Sequence, residues 1–497
     1  MLLIYKKVYL LIFYLISNII LIARRANHSM EMISWIRLQV ETPVFLSGFF
    51  VYKEDFMDIL KANTKKLFFH YLISALGSSI IMAIYSTVDT VVIGHYEGPN
   101  GTAAIAAFMP MWTIMFAFGL LFGIGGSVLM AHQRGAGNKN KSNKFYSSAI
   151  IGGILISLII FIIYNLFSRQ LIYMFGGRNE VLDLAVKYSY WISIFSPLFV
   201  LGQLLIPFIR NDGHPGYTTI AVLIGGVFNI FGDLFFVFIC NMGISGAGLA
   251  TALGQVISFL ILFTYLFSKN NTLKFINLKF KEIINCFYKI IVMGASNFVI
   301  DIAMGILAIM FNNQIVKYLG SNALAVYGVV TSVATIIQTF GYAIGESAQA
   351  IMSVNYGAKK FERVQQVFKY GSITALLVGV LGFLSFELIP NTLVKIFMNA
   401  TNDVLYIAPY IMKKYGFAFI LLVFNVFCTY YFQSIGKPRI SMLISLLRGI
   451  IINGVLIYLL PIIIGANAIW LSIPISETIV AIVIIFNIFN TRKSNAK

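Results

Sequence analysis

Stretches of about 20 apolar residues recur along almost the whole of this 497-residue chain, and a helix of that length crosses a ~30 Å hydrocarbon core. Hydrocarbon offers backbone N–H and C=O groups no water to bond, so only helices or closed barrels span it. The apolar–polar alternation that a barrel requires is absent. Twelve apolar segments follow Leu67, with cores near 68–94, 104–131, 147–167, 187–209, 217–240 and 246–267, then 287–316, 324–353, 370–389, 404–434, 440–463 and 466–490. A hydrophobic content of 59% against 11% charged residues, with a mean hydropathy of +0.87, excludes a soluble globular chain. The expectation is an all-α polytopic membrane protein of twelve transmembrane helices, seated in a lipid bilayer.

The formal charge of +18 is not spread evenly. Arg134, Lys139, Lys141 and Lys144 form one cluster; Lys269, Lys274, Lys279 and Lys281 a second; Lys359, Lys360 and Arg363 a third. The connections 95–102 and 241–246 carry no Lys or Arg. Alternating basic and uncharged loops are the positive-inside pattern, which predicts a plasma-membrane protein with both termini cytoplasmic. No aromatic-plus-basic soluble module accompanies the charge, so a nucleic-acid partner is excluded. Cys240, Cys286 and Cys428 stand apart with no paired spacing, which argues against disulfides and zinc.

The two halves of the chain repeat each other. "GGSVLMAHQRGAGNKN" leaves one apolar segment as "ESAQAIMSVNYGAKKF" leaves another; Gly98, Gly123 and Gly135 pair with Gly320, Gly345 and Gly357 at a shift of 222. "NDGHP" and "SIGKP" pair Gly213 with Gly436 and Pro215 with Pro438 at 223. A near-constant shift marks an internal duplication. An even number of spans per half makes the repeats parallel, as in transporters that rock two bundles around a central site. The expected organisation is a 57–267 N-lobe of six helices, a basic cytosolic linker 268–289, and a 290–497 C-lobe of six helices whose first core begins near 287. Residues 1–56 have no counterpart in the second half. The short apolar run 8–23, followed by Arg24 and Arg25, reads as a signal-like segment, an interfacial helix or, the favoured expectation, sequence upstream of a start at Met57.

Acids inside apolar runs are costly and functional by default. Asp89 lies late in the first run, and Asn229 and Asp233 share one helix face of the fifth through their four-residue spacing. Thr251 adds a hydroxyl in the sixth. Asn297 and Asp301 repeat the spacing in the second half, and Glu346 sits in "GYAIGESAQ". Two acids brought together in a low-dielectric cavity cannot both stay ionised cheaply, and a bound H⁺ or Na⁺ relieves their repulsion. The competing reading makes Asp233 a helix cross-link through Asn229.

No Gly-x-x-x-x-Gly-Lys-Ser/Thr run is present to cradle a nucleotide, so an ion gradient is the expected energy source. "GISG" at 243–246 superficially resembles an intramembrane serine-protease motif. That chemistry needs a histidine base within the bundle, and all five histidines fall in or near predicted loops and span ends. The expectation is a protein that is not an enzyme, with no cofactor and no metal beyond Na⁺.

Taken together, "YSTVDTVVIGHYEG", "GAGNKNKSNKF", "RNDGHPGYTTIAVLIGGVFNIFGDLFF" and "NMGISGAGLATALGQ" resemble multidrug and toxic compound extrusion (MATE) transporters, over about residues 57–490 and most nearly the staphylococcal-type multidrug branch. The resemblance implies two pseudo-symmetric six-helix bundles around a cavity open alternately to each side. It also implies antiport, with organic, often cationic, drugs leaving the cell as H⁺ or Na⁺ enters, and so antibiotic resistance. It assigns cation coupling to Asp89, Asn229, Asp233 and Thr251, with Tyr85 in support and a second acidic site at Asp301 and Glu346. Some members bend the first helix at a proline; 68–94 has none, although Gly77, Ser78 and Ser79 offer a place to bend. A polyspecific pocket needs pliable apolar and aromatic walls, for which Tyr85, Met115, Phe116, Phe228, Met304 and Phe340 are candidates. A monomer is expected. The alternative function is a flippase for lipid-linked saccharides or other amphiphiles, which would need a cationic cavity; Arg448 is the residue that would point to it.

Overall fold

With no strand partner available in hydrocarbon, each apolar run closes its own hydrogen bonds as a helix. The computed structural model describes residues 58–398 and 401–495, so the 1–56 extension lies outside the described residues. Among the described residues twelve helices are long and apolar enough to cross a membrane: α1 Thr64–Tyr96, α2 Pro99–Gly135, α3 Lys139–Met174, α4 Asn179–Asn211, α5 Pro215–Ile239, α6 Ile244–Phe267, α7 Phe280–Gly320, α8 Asn322–Gly357, α9 Phe361–Leu388, α10 Asn402–Ser434, α11 Pro438–Ile463 and α12 Ala466–Thr491. Local chemistry sets several ends. Asn63 caps α1 by accepting from the backbone N–H groups of Lys65 and Lys66, and prolines open α2, α5 and α11. Helix α1 runs unbroken through Gly77 and Ser78.

The duplication is visible in the backbone. The turns before α2 and α8 put Gly98 and Gly320 at φ 70° and 79°; those before α6 and α12 put Gly243 and Gly465 at 55° and 111°. Gly213 and Gly436 share the left-handed region at 101° and 69°. Only glycine takes that region without a Cβ clash, which is why these residues recur in both halves. Lys359 adopts the same conformation at φ 59°, against 76° for its counterpart Gly137.

The lobes meet at the basic end. Here α2 and α8 cross so closely that a Cβ on Gly135 would strike the Val354 carbonyl and one on Gly357 the His132 carbonyl. His132 and Val354 are themselves 222 residues apart, so the crossing sits on the pseudo-twofold axis. Small residues let membrane helices approach to this distance. Gly125 meets the Ile290 carbonyl and Gly294 the Leu121 carbonyl in the same way. Polar contacts join the lobes at this end: Thr64 Oγ1 to Gln366 at 2.6 Å, the His132 ring to the Ser434 carbonyl at 2.6 Å, and Lys144 to Glu282 at 2.6 Å. Towards the other end, Ala104–Met115 of α2 packs with N-lobe residues, whereas Val326–Ile337 of α8 packs into the cluster holding Phe311 and Trp470. Among the described residues no hydrogen bond or ion pair joins the lobes there. The cleft between them therefore opens away from the basic loops.

Candidate functional site

Four helices carry the N-lobe polar residues to one place. Gly225 on α5 and Gly254 on α6 lie against each other's backbone, with no room for a Cβ on either. That approach brings Asn229 Nδ2 within 3.1 Å of Thr251 Oγ1. On the other side of α5, Gly226 lies against Ile81 and Tyr85 of α1, the helix that supplies Asp89. Gly248 of α6 rests on the backbone of Tyr188, and the hydroxyl of this α4 tyrosine donates to Asp89 Oδ2 at 2.5 Å.

The chemistry of this cluster is a surplus of acceptors. Asp233 is fully buried, and neither of its carboxylate oxygens has a hydrogen-bond partner. Asp89 Oδ1 and Asn229 Oδ1 are buried and unpartnered as well. Among the described residues no Lys or Arg forms an ion pair with Asp89 or Asp233. Native interiors rarely leave buried polar atoms unpaired, because each forfeits its hydration for nothing. A proton or small cation would satisfy these oxygens. The cross-link reading fails on the same observation, since Asn229 bonds Thr251 and not Asp233. Directly after Asp233 the helix widens into π-type turns over Leu234–Ile239, a rearrangement common at functional sites.

Tyr85, expected to support Asp89, instead accepts from Gln255 Nε2 at 3.3 Å; Tyr188 takes the supporting role. Tyr85 and Gln255 line a small cavity inside the N-lobe together with Met82, Gln203 and Ser258.

The C-lobe acids are placed differently from one another. Asp301 on α7 is partly buried and has no hydrogen-bond or ion-pair partner among the described residues. Asn297, one turn earlier, accepts from Gln433 at 2.5 Å and so does not pair with it. Glu346 on α8 bonds Arg210 of α4 at 2.6 Å, across the lobes. Arg448, in the π-type turns Leu447–Ile451, bonds Glu477 of α12 at 2.9 Å, and both side chains are almost wholly buried. Asn425 completes that network with bonds to Glu477 Oε2 at 2.7 Å and to its carbonyl at 2.8 Å. Sequence reasoning passed over Glu477, although an acid inside an apolar run is the signal that marked Asp233. Tyr188 and Arg210 carried no comparable signal.

Of the aromatic and thioether candidates, Met115 is fully buried in the N-lobe core. Phe116 touches both the N-lobe cluster and the one shared between lobes, Phe228 and Phe340 are half-buried, and Met304 is exposed on α7.

Comparisons with known proteins agree with this architecture. The MatE family model matches residues 75–235 and again 302–459, once in each half. The multidrug export protein MepA of Staphylococcus aureus (strain MSSA476) is 26% identical over 426 residues, 85% of this chain and 93% of that protein. The MepA of Staphylococcus saprophyticus is 24% identical over the same shares. A solved outward-facing multidrug resistance MATE family transporter of the MOP superfamily superposes with a TM-score of 0.81 at 19% identity, covering 89% of this chain and 99% of its own. A MOP superfamily transporter from Pyrococcus furiosus, whose binding pocket is described as having a reverse polarity that suggests a different function, gives 0.80 at 20% identity over 88% and 97%. These structures share the fold: twelve helices in two pseudo-symmetric six-helix bundles. With its family model matched across both halves, this chain belongs to the MatE family and is a transporter, not an enzyme.

Proposed function

We propose that the protein is a secondary antiporter that exports organic, often cationic, small molecules in exchange for H⁺ or Na⁺. The observation that supports this most is the set of buried, unpartnered oxygens on Asp89, Asn229 and Asp233. In the N-lobe, of which 57–267 is the proposed extent, Asp233 takes the proton; if the ion is Na⁺, Asp89, Asn229 and Thr251 contribute oxygens beside it. Tyr188 fixes the Asp89 carboxylate from α4. Loading the site removes the repulsion between two carboxylates held in low dielectric, and the helices bearing them can then close together. Ion and drug are linked reciprocally: whichever binds lowers the affinity for the other.

With the basic end facing the cytoplasm of the cell, by the positive-inside pattern, the cleft faces outward and both termini lie inside. A monomer suffices for this cycle, with the 290–497 lobe rocking against the first beyond the 268–289 linker. Half-buried Phe116, Phe228 and Phe340, with Met304, are the proposed cavity walls; Met115 would join them only after rearrangement of the N-lobe. Asp301 is the C-lobe candidate for a second ion, and Glu346 is less suited while Arg210 neutralises it.

The flippase alternative needs cations free in the cleft. Arg448 is neutralised by Glu477 and Arg210 by Glu346, which favours the antiporter. The test is ethidium efflux from cells lacking their own pumps. Asp89→Asn and Asp233→Asn, at matched expression, should each lower gradient-driven efflux by about tenfold or more, the scale of coupling energies between linked sites. Wild-type efflux from a folded Asp233→Asn protein would refute the reading.

A further inference from the structure

The contact between Arg210 and Glu346 differs in kind from the other contacts that close the basic end. It is a charge pair between the lobes, 2.6 Å long, with the arginine side chain 6% and the glutamate 21% exposed. Among the described residues the other ion pair joining the lobes, Lys144 with Glu282, lies on the rim with side chains 31% and 38% exposed, where solvent screens it. Among the described residues the remaining polar contacts here end on neutral groups: Thr64 with Gln366, His132 with the Ser434 carbonyl, Asn355 with the Ile59 carbonyl, Lys360 with the Leu60 carbonyl, and Arg363 with the carbonyls of Ile59 and Ala62.

The pair also breaks the internal symmetry. The repeat puts Gln433 where Arg210 would be and Ile124 where Glu346 would be. Gln433 spends its amide inside the C-lobe, on Ser296 at 2.6 Å and Gln349 at 2.9 Å, and Ile124 is buried in apolar contact. At these equivalent positions one side of the pseudo-twofold axis therefore carries an ion pair between the lobes, and the other side does not.

A buried ion pair suits a reversible contact. Its Coulomb attraction is nearly offset by the hydration its members give up, so its net strength is small. Parting the lobes at this end would admit water to both charges and return that hydration. Removing one partner alone has the opposite character, because a single charge is left buried whenever the lobes are shut.

We propose that the Arg210–Glu346 pair is a latch between the lobes: it holds the basic end closed in the outward-open state, and its parting is the step that opens that end. Arg210 and Glu346 are positioning residues that act on the lobe equilibrium and need not touch drug or ion. The proposal rests on the alternating-access reading above, but its test reads conformation and requires no transport.

The experiment uses the full chain in lipid nanodiscs with Cys240, Cys286 and Cys428 replaced by Ser, Ser and Ala, and a reporter Ala131→Cys. Ala131 is fully buried in the cluster that α2 shares with the C-lobe, so maleimide reaches it only when the basic end opens. Arg210→Gln and Glu346→Gln should each raise the labelling rate about tenfold or more, since a buried unpaired charge costs several kcal/mol and tenfold requires only 1.4. The reversed pair, Arg210→Glu with Glu346→Arg, should bring the rate back towards that of the starting protein. Unchanged labelling in both neutral variants overturns the proposal, and so does a reversed pair no better than the single changes. Should the neutral variants fail to yield monodisperse protein, Glu346→Asp keeps the charge and withdraws it by one methylene. It must then show a smaller rise, and no rise refutes the latch. Loss of efflux with normal latch behaviour would count against the antiport reading instead.

Discussion

The buried pair of Arg448 and Glu477 gives a prediction whose size follows from geometry. At 2.9 Å and an effective dielectric of about 20, two unit charges attract by about 6 kcal/mol. Desolvation offsets most of this, because the two side chains are only 6% and 3% exposed. Removing one partner keeps the desolvation penalty and loses the attraction, so Arg448→Met should cost about 3–5 kcal/mol. Glu477→Gln should cost a similar amount, although its amide oxygen can still accept from Asn425, which also retains the backbone carbonyl at 2.8 Å. The double variant leaves no charge behind and should recover most of the loss. The cycle should therefore show a coupling of about 3 kcal/mol, well outside the few tenths expected of independent sites. Reversible unfolding in mixed micelles by added SDS, followed by tryptophan fluorescence, measures all four proteins. Single variants that each lose less than about 1 kcal/mol, or a double variant as unstable as the sum, would refute the claim that the pair is desolvated and mutually dependent.

Two further outcomes concern the N-lobe cluster. Tyr188→Phe removes the donor to Asp89, a bond to a charged group contributing about 1.5–3 kcal/mol, and efflux should fall about tenfold or more while Tyr85→Phe has a smaller effect; equal effects would contradict the assignment of Tyr188. Gly248→Ala places a methyl against the Tyr188 carbonyl, so α6 and α4 must separate; the overpacking should destabilise by about 1–3 kcal/mol in the same SDS titration and weaken efflux, and wild-type values for both would show that the helices have slack there.

The helices were legible in the sequence because hydrocarbon forces each long apolar run into one form, and the cores read from the chain coincide with α1 to α12, with 217–240 and 370–389 each running one residue past its helix. The duplication was legible through glycines that take left-handed turns in both halves, such as Gly98 with Gly320. Asn229 and Asp233 could be found because four-residue spacing on a helix is a local rule. The partners could not be found that way. Tyr188 reaches Asp89 across 99 residues, Arg210 reaches Glu346 across 136, and Arg448 reaches Glu477 across 29. No periodicity links such pairs; they follow from which helices the glycine contacts bring together. Tyr85 was the natural choice to support Asp89 because it lies one turn away on the same helix, yet tertiary packing turns it to Gln255.

Exchange is tested by imposing one gradient and watching the other species move. Purified protein in liposomes, loaded with drug and diluted into drug-free buffer, should drive H⁺ or Na⁺ in the opposite direction, read with an internal pH dye or with radioactive sodium. Counter-movement is expected in one of the two channels and is lost in Asp233→Asn while drug binding persists. Drug leaving the liposomes with no opposing flux of either ion, or an opposing flux unchanged in Asp233→Asn, would contradict it.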